Sequence, residues 1–365
     1  MISAIAAPRD AAAQSSIARG QRWQQIINSN TTHPWTTKLC VQYTSPSNKT
    51  YTGAGFWDTR VFQPAPTPDT DNFKIRAAFN EIGTWTWQLH SAAAGCVSTA
   101  GFSPASGTIS VSGDATGLPL YATGPVRVNT SPRFLRYSGA GVLSPFHWIG
   151  DTTWSGAHRT YLNPGWNNYV TDRKNKSYTV IQISVPLAAS GQPFDVVNRK
   201  PFGAYDANDV LQPCTGVLPR AACFPNKLFW DYWDNHVNAV NANGMLAAVI
   251  GLYKRTDESI NWPTIADSEG YARWIAARLA GNYTALAPGF DELPKRNQTF
   301  TGADCGNVVP NQENQACRAR EVGNAIREAI LLNTAPATPQ EAPLTALVTH
   351  HIGGGCSDGL DGAPP

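Results

Sequence analysis

LFWDYWDNHVNAVNANGMLAAVIGLY, residues 228–253, carries two different patterns end to end. Over 228–244 the apolar residues recur at helical spacing, and the run closes on Asn243-Gly244, a helix-stop pair. From 245 to 253 the chain is short and almost continuously apolar, as in a strand covered on both faces. The same alternation continues outward in both directions. Upstream lie a strand-like FHWIGDTTW (146–154), a helix-like PGWNNYVTDRKN (164–175) and a β-rich YTVIQISV (178–185), then a long loop over 186–226. Downstream, DSEGYARWIAARLAGN (267–282) reads as a helix opened by Asp267 and closed by Gly281. YTALAPGFDE (283–292) is a strand ending in acids, CRAREVGNAIREAILLN (317–333) a helix, and PLTALVTHHIGGG (343–355) a fifth strand. Strand–helix alternation with apolar strands predicts a parallel sheet with crossover helices. The first strand runs into GDTTW, with neither GxGxxG nor GxxxxGK[ST], so nucleotide binding is not expected.

The preceding part has another texture. Residues 1–34 read as a polar N-terminal tail. Over 35–132, short alternating runs (KLCVQYT, GAGFWD, NFKIRAAF, GTWTWQLH, GTISVSG) are separated by turn clusters, which predicts a β-sandwich. Trp85 and Trp87 share one face by period two and belong in its core. The expected fold is therefore multidomain, β followed by α/β, with the second unit over 133–365.

Composition narrows the classes of function. Lys plus Arg number 28 and Asp plus Glu 26 in 365 residues, a net charge of +2 that suggests neither a nucleic-acid nor a membrane partner. No CxxC pair suggests a zinc or thioredoxin-type site. Cys214 with Cys223 and Cys305 with Cys317 are expected as local loop disulfides, Cys40 with Cys96 as a third, leaving Cys356 over. Sequons at Asn30, Asn48, Asn129, Asn175, Asn282 and Asn297 agree with secretion. The apolar run Ile2–Ala7 is too short for a signal-peptide core, so either a leader has been removed or lost or the export expectation is wrong.

Polar residues gather at the C-terminal ends of the predicted strands: Asp151, Gln182, Tyr253, Asp291, Glu292, His350 and His351. A (β/α)₈ barrel builds its site there. Asp291 is the candidate general acid/base, with a helix N-cap as the alternative. Glu292 would serve only if the strand register shifts by one. Asp151 is expected either to accept a hydrogen bond from the substrate, a sugar hydroxyl on the family resemblance below, or to brace the barrel through neighbouring amides. Trp154 is placed either against a sugar face or in the core, and Gln182, Tyr253 and one of the two histidines, His350, are candidate substrate contacts. Adjacent His350 and His351 face opposite ways on a strand, so no metal is expected, and no cofactor.

The order of these segments resembles the apiosidase-like glycoside hydrolases, family 140 and its relatives. It is carried by FHWIGDTTW, RKNKSYTVIQ, FWDYWDNHVNAVNANGMLAAVIGLY and ARWIAARLAGNYTALAPGFDE, with GFWD and FKIRAAFNEIGTWTWQ before them. The resemblance covers about residues 36–355. It implies an immunoglobulin-like β-sandwich followed by a (β/α)₈ barrel that hydrolyses O-glycosidic bonds in plant or microbial polysaccharide with retention. Its acid/base aspartate falls on Asp291, and its nucleophilic glutamate has no visible match. Only five barrel strands can be counted, so the expected barrel is incomplete; such a chain, the N-terminal part of a longer enzyme or a truncated product, would be inactive alone. A non-catalytic carbohydrate-binding protein is the alternative.

Overall fold

The first half is built on strands β1 (Ser16–Arg19), β2 (Arg22–Ser29), β3 (Leu39–Thr44), β4 (Thr50–Trp57), β5 (Asp71–Ala78), β6 (Gly83–Leu89), β7 (Phe102–Ser103) and β8 (Ser106–Asp114). They hydrogen-bond in the order β1-β8-β6-β3-β4-β5-β2-β7. The computed structural model describes residues 16–59, 71–91, 95–114, 126–128, 135–137, 145–153, 156, 165–185, 201–205, 211–213, 224–251, 265–289, 315–330, 332–333 and 347–348.

Strand β4 makes the sheet curl. Its first part, Thr50–Gly55, pairs with β3, and Phe56 and Trp57 pair with β5. At the changeover a Cβ on Gly55 would lie 3.0 Å from the Ile75 side chain and 3.1 Å from that of Leu39, so a larger residue would push these neighbours aside by a few tenths of an ångström. The leaves then face each other. Trp23 on β2 meets Tyr43 on β3 and Trp87 on β6 at ring-centroid distances of 6.4 and 6.0 Å. In β6 the period-two pattern holds, with Trp85, Trp87 and Leu89 buried and Thr84, Thr86 and Gln88 exposed. The expected Cys40–Cys96 disulfide is formed, with Cα atoms 5.7 Å apart. The remaining cysteine side chains lie outside the described residues.

The polar-tail expectation for residues 1–34 is corrected from residue 16 onward. β2 pairs with β5 along eight residues, and its Trp23 and Ile27 are core residues. RWQQIINS hides its alternation because Gln24, Gln25 and Asn28 sit between the buried positions Trp23, Ile27 and Ser29.

A hairpin of β9 (Val126–Val128) and β10 (Leu135–Tyr137) precedes the second half. There the chain runs β11 (Gly150–Thr153), α1 (Gly165–Asn175), β12 (Val180–Ser184), the antiparallel pair β13 (Gly203–Tyr205) and β14 (Leu211–Pro213), α2 (Lys227–Ala242), β15 (Leu246–Ile250), α3 (Ile265–Leu279), β16 (Thr284–Ala287), α4 (Gln315–Ala329), β17 (Leu332–Asn333) and β18 (Leu347–Val348). Strands β11, β12, β15, β16 and β18 form one parallel sheet in that order. The order never reverses among the described strands, so no switch point of the doubly wound kind exists there. Val170 of α1, Val240 of α2 and Ile275 of α3 share a core with Ile181, Ile183, Ala247, Val249 and Leu286, so the crossover helices cover one face of the sheet.

The two halves are not beads on a string. β17 adds to the edge of β4, antiparallel, with Leu332 opposite Thr52. At Gly281, whose φ is +83°, a Cβ would stand 2.7 Å from the carbonyl oxygen of Ala77. Between the halves lies a buried network of charge. Arg278 on α3 is 0% exposed and spreads its guanidinium over three carboxylates. Its Nη1 reaches Asp58 at 2.8 Å, its Nη2 Asp231 at 2.9 Å and its Nε Asp234 at 2.9 Å. Arg76 pairs with Asp234 at 2.8 Å and donates to the Arg278 carbonyl, and Lys74 pairs with Asp58 at 2.6 Å. Lys227 bridges Asp231 at 2.6 Å and Asp58 at 3.3 Å. Burial opposes ionisation of Asp58, but Arg278, Lys74 and Lys227 outweigh it and hold the carboxyl well below its usual range. Asp231, close to the like charge of Asp58, is pushed up instead by burial and by that repulsion.

Removing one member of a buried pair strands the others, which costs about 3–5 kcal/mol. Arg278→Leu is therefore expected to lower the unfolding free energy by about that much in urea titration. Glu328→Ala, which breaks an exposed pair with Lys38, should cost less than about 1 kcal/mol.

Candidate active site

The face of the parallel sheet turned away from the helices begins as a small apolar core. Val180, Leu246, Ala248 and Ala285 pack there with Val126 of β9 and Phe146. Nearer the C-terminal ends, Ile250 and Ala287 form a further pair. Two polar side chains interrupt this surface. Thr152 stands opposite Gln182 in the β11–β12 register, and Gln182 opposite Ala248 in the β12–β15 register, so both lie on the face away from the helices. Gln182 Nε2 lies 3.4 Å from Thr152 Oγ1. Thr152 is exposed and Gln182 half-buried, while Ser184, the next polar residue of that face, is buried.

Asp151 is one residue away and therefore on the other side. Its register partner is Ile181, a member of the helix-side core. Its carboxylate accepts hydrogen bonds from Tyr169 Oη at 2.9 Å and from the Thr152 amide at 2.8 Å, and is ion-paired to Arg173. The Arg173 guanidinium lies over the Tyr169 ring at 4.7 Å and within 5.6 Å of the Tyr178 ring centroid. Burial opposes ionisation of Asp151, but the bonds from Arg173, Tyr169 and the Thr152 amide hold its pKa below the ordinary value. These contacts are those of the bracing alternative for Asp151, with the carboxylate fastening β11 to α1. The physical reason is the period of two, which sends Asp151 and Thr152 of GDTTW to opposite faces. Gln182 lies on the open face. Asp291, Trp154, Tyr253 and His350 lie outside the described residues, as do Glu292 and His351.

Thr152 was the residue that sequence reasoning passed over. The alternation of Val180, Gln182 and Ser184 against Ile181 and Ile183 in VIQIS gives the face of Gln182, but which residue of β11 shares that face is set by the β11–β12 register. Among the described residues, no group of three His, Cys, Asp or Glu side chains is placed to hold a metal ion. No described helix is long and apolar enough to cross a membrane.

Behind the site, α1 is fixed to α2 through His236. Trp166 Nε1 donates to the His236 carbonyl at 3.1 Å, and the two rings lie 5.1 Å apart. His236 Nδ1 sits 2.9 Å from the Tyr232 carbonyl, which makes it the protonated nitrogen. Nε2 is buried without a hydrogen-bond partner among the described residues. Burial lowers the imidazole pKa below its ordinary 6.5. The unfolded chain then takes up the proton first as the pH falls through about 6.5, so native stability is full above that value and declines below it. Denaturant midpoints measured between pH 7.5 and 5 should fall for the wild-type chain, and His236→Phe should flatten that slope.

Three comparisons bear on this site. Residues 131–357 match the profile of the apiosidase-like catalytic domain. A candidate glycoside hydrolase from Bacteroides vulgatus shares the fold at a TM-score of 0.59 and 12% identity, over 93% of this chain and 56% of its own length. A glycoside hydrolase family 5 protein of the same organism aligns at a TM-score of 0.42 and 15% identity, over 65% of this chain and 42% of its own. This chain thus spans little more than half the length of the first of these structures. No curated protein is significantly similar to it.

Proposed function

The chain belongs to the apiosidase-like family of glycoside hydrolases, and from that premise we propose that it hydrolyses O-glycosidic bonds in plant or microbial polysaccharide with retention of configuration. The observation that carries the reading is the overlap of the catalytic-domain match with the part of the chain that holds the parallel sheet. The unreversed strand order and the helices on one face support a (β/α) barrel of the TIM type. The curled sheet that folds its leaves together supports an immunoglobulin-like sandwich before it. Residues reaching past the C-terminal ends of such strands form the rim where a barrel enzyme does its chemistry.

Asp291 follows β16 in sequence and is proposed as the general acid/base. It would protonate the leaving oxygen and later deprotonate the attacking water, while a second carboxylate attacks the sugar carbon. Secretion is part of the proposal, supported by the Cys40–Cys96 disulfide, which persists in oxidising compartments.

The test is incubation of the purified chain with pectic and other plant and microbial glycans. Release of reducing ends, with the first-formed anomer retaining its configuration by proton NMR, would support the hydrolase reading and overturn the expectation that the chain is inactive alone. Asp291→Asn should lower turnover by about 10²–10⁴-fold while leaving glycan binding in place. Binding without cleavage on every glycan would favour the carbohydrate-binding alternative and overturn the hydrolase reading.

A further inference from the structure

Resting on that reading of the site, we propose that Thr152 and Gln182 form its sugar-recognition pair and take two neighbouring hydroxyls of one uncharged glycosyl unit. The remaining described side chains on their face are there for packing. Val180, Leu246, Ala248, Ile250, Ala285 and Ala287 are each no more than 2% exposed, and Ser184 is 3% exposed. Thr152 is the exposed exception and Gln182 the half-buried one. A sheet face that is otherwise core has no packing reason to carry a carboxamide and a hydroxyl side by side.

Their mutual contact leaves most of their capacity unspent. At 3.4 Å the Nε2–Oγ1 approach is beyond the usual hydrogen-bond range. The Gln182 side chain keeps its carbonyl acceptor and a second amide hydrogen, and Thr152 keeps its hydroxyl hydrogen. Among the described residues neither side chain has another hydrogen-bond partner. A carboxamide next to a hydroxyl offers a donor and an acceptor together, which is what adjacent sugar hydroxyls, each donating and accepting, require.

The pair is also held in place before any ligand arrives. Thr152 is the third of the four residues of β11 and Gln182 the middle residue of its paired strand β12, and β11 is pinned to α1 by the clasp of Asp151 with Tyr169 and Arg173. Little freedom remains to be lost on binding. The clasp also turns the Arg173 cation to the helix side, so the pair itself is neutral. A carboxylated sugar finds no countercharge in it, and an uncharged ring needs none.

Saturation-transfer NMR of the full chain with free neutral pentoses and hexoses, and with galacturonate, tests this. At least one neutral sugar should bind, and more tightly than galacturonate. Thr152→Val and Gln182→Leu should each weaken that sugar at least tenfold, with the circular dichroism spectrum and urea midpoint kept; Thr152→Ser should retain the affinity. Thr152 is exposed, so its two variants carry the test even if Gln182→Leu does not fold. Absence of neutral-sugar binding, preference for galacturonate, or unchanged affinity in Thr152→Val would overturn the inference. The hydrolysis assay separates the two claims. Sugar held by the pair without cleavage sinks only the hydrolase reading, and cleavage with an unaltered KM in Thr152→Val sinks only the recognition pair.

Discussion

Arg278 is the residue on which the arrangement of the two halves depends. It lies on α3, has no exposed surface, and is shared among Asp58 from the end of β4 and Asp231 and Asp234 from α2. Arg76 and Lys74 of β5 complete the charge balance from the other side. Taking such ions out of water costs several kcal/mol each, and their mutual attraction at an effective dielectric near 20 returns about 4 kcal/mol per close pair. The two terms nearly cancel, so the network adds little net stability and instead admits one docking geometry. A shifted helix would leave a carboxylate or a guanidinium buried and alone.

What holds the interface shut is the aromatic shell around these charges. Trp274 of α3 packs on Trp230 of α2 at 4.9 Å, on Trp35 at 6.0 Å and on Phe56 of β4 at 6.4 Å. Its indole nitrogen donates to the Trp57 carbonyl at 2.8 Å. The Arg76 and Arg278 guanidinium groups both lie over the Phe56 ring, at 4.7 and 5.2 Å. Much of the aromatic content that suggests a sugar-stacking surface is therefore used in joining the halves, where a large ring excludes water from the ion pairs and strengthens them. The same docking places α3 between the curled sheet and the parallel sheet, and so supports from behind the strands that carry the site.

The parallel strands were readable because burial on both faces forces short apolar runs, and the helices because LFWDYWDNHVNAV and RWIAARL repeat at helical spacing. The curled sheet was readable from alternation in GTWTWQL but not in RWQQIINS, where half-polar edge residues blur the period. Boundaries moved for similar reasons. The predicted FHWIGDTTW strand contracts to Gly150–Thr153, since Trp148 and Ile149 remain largely exposed at 41% and 49%. At the site, the candidacy of Gln182 was legible and its partner was not, because pairing depends on strand register.

Sequence alone determined the kinds of element, their order and the β then α/β division, which follow from local period and spacing, while its motifs carry the resemblance that points to sugar chemistry. Tertiary structure decided which side of β11 each residue occupies, giving Asp151 to α1 and Thr152 to the open face. It also decided that the acids of FWDYWD serve an interface rather than a reaction. Both outcomes turn on groups far apart in the chain, Asp58 with Arg278 and Thr152 with Gln182, and no local pattern encodes which distant partner a charge or a hydroxyl will meet.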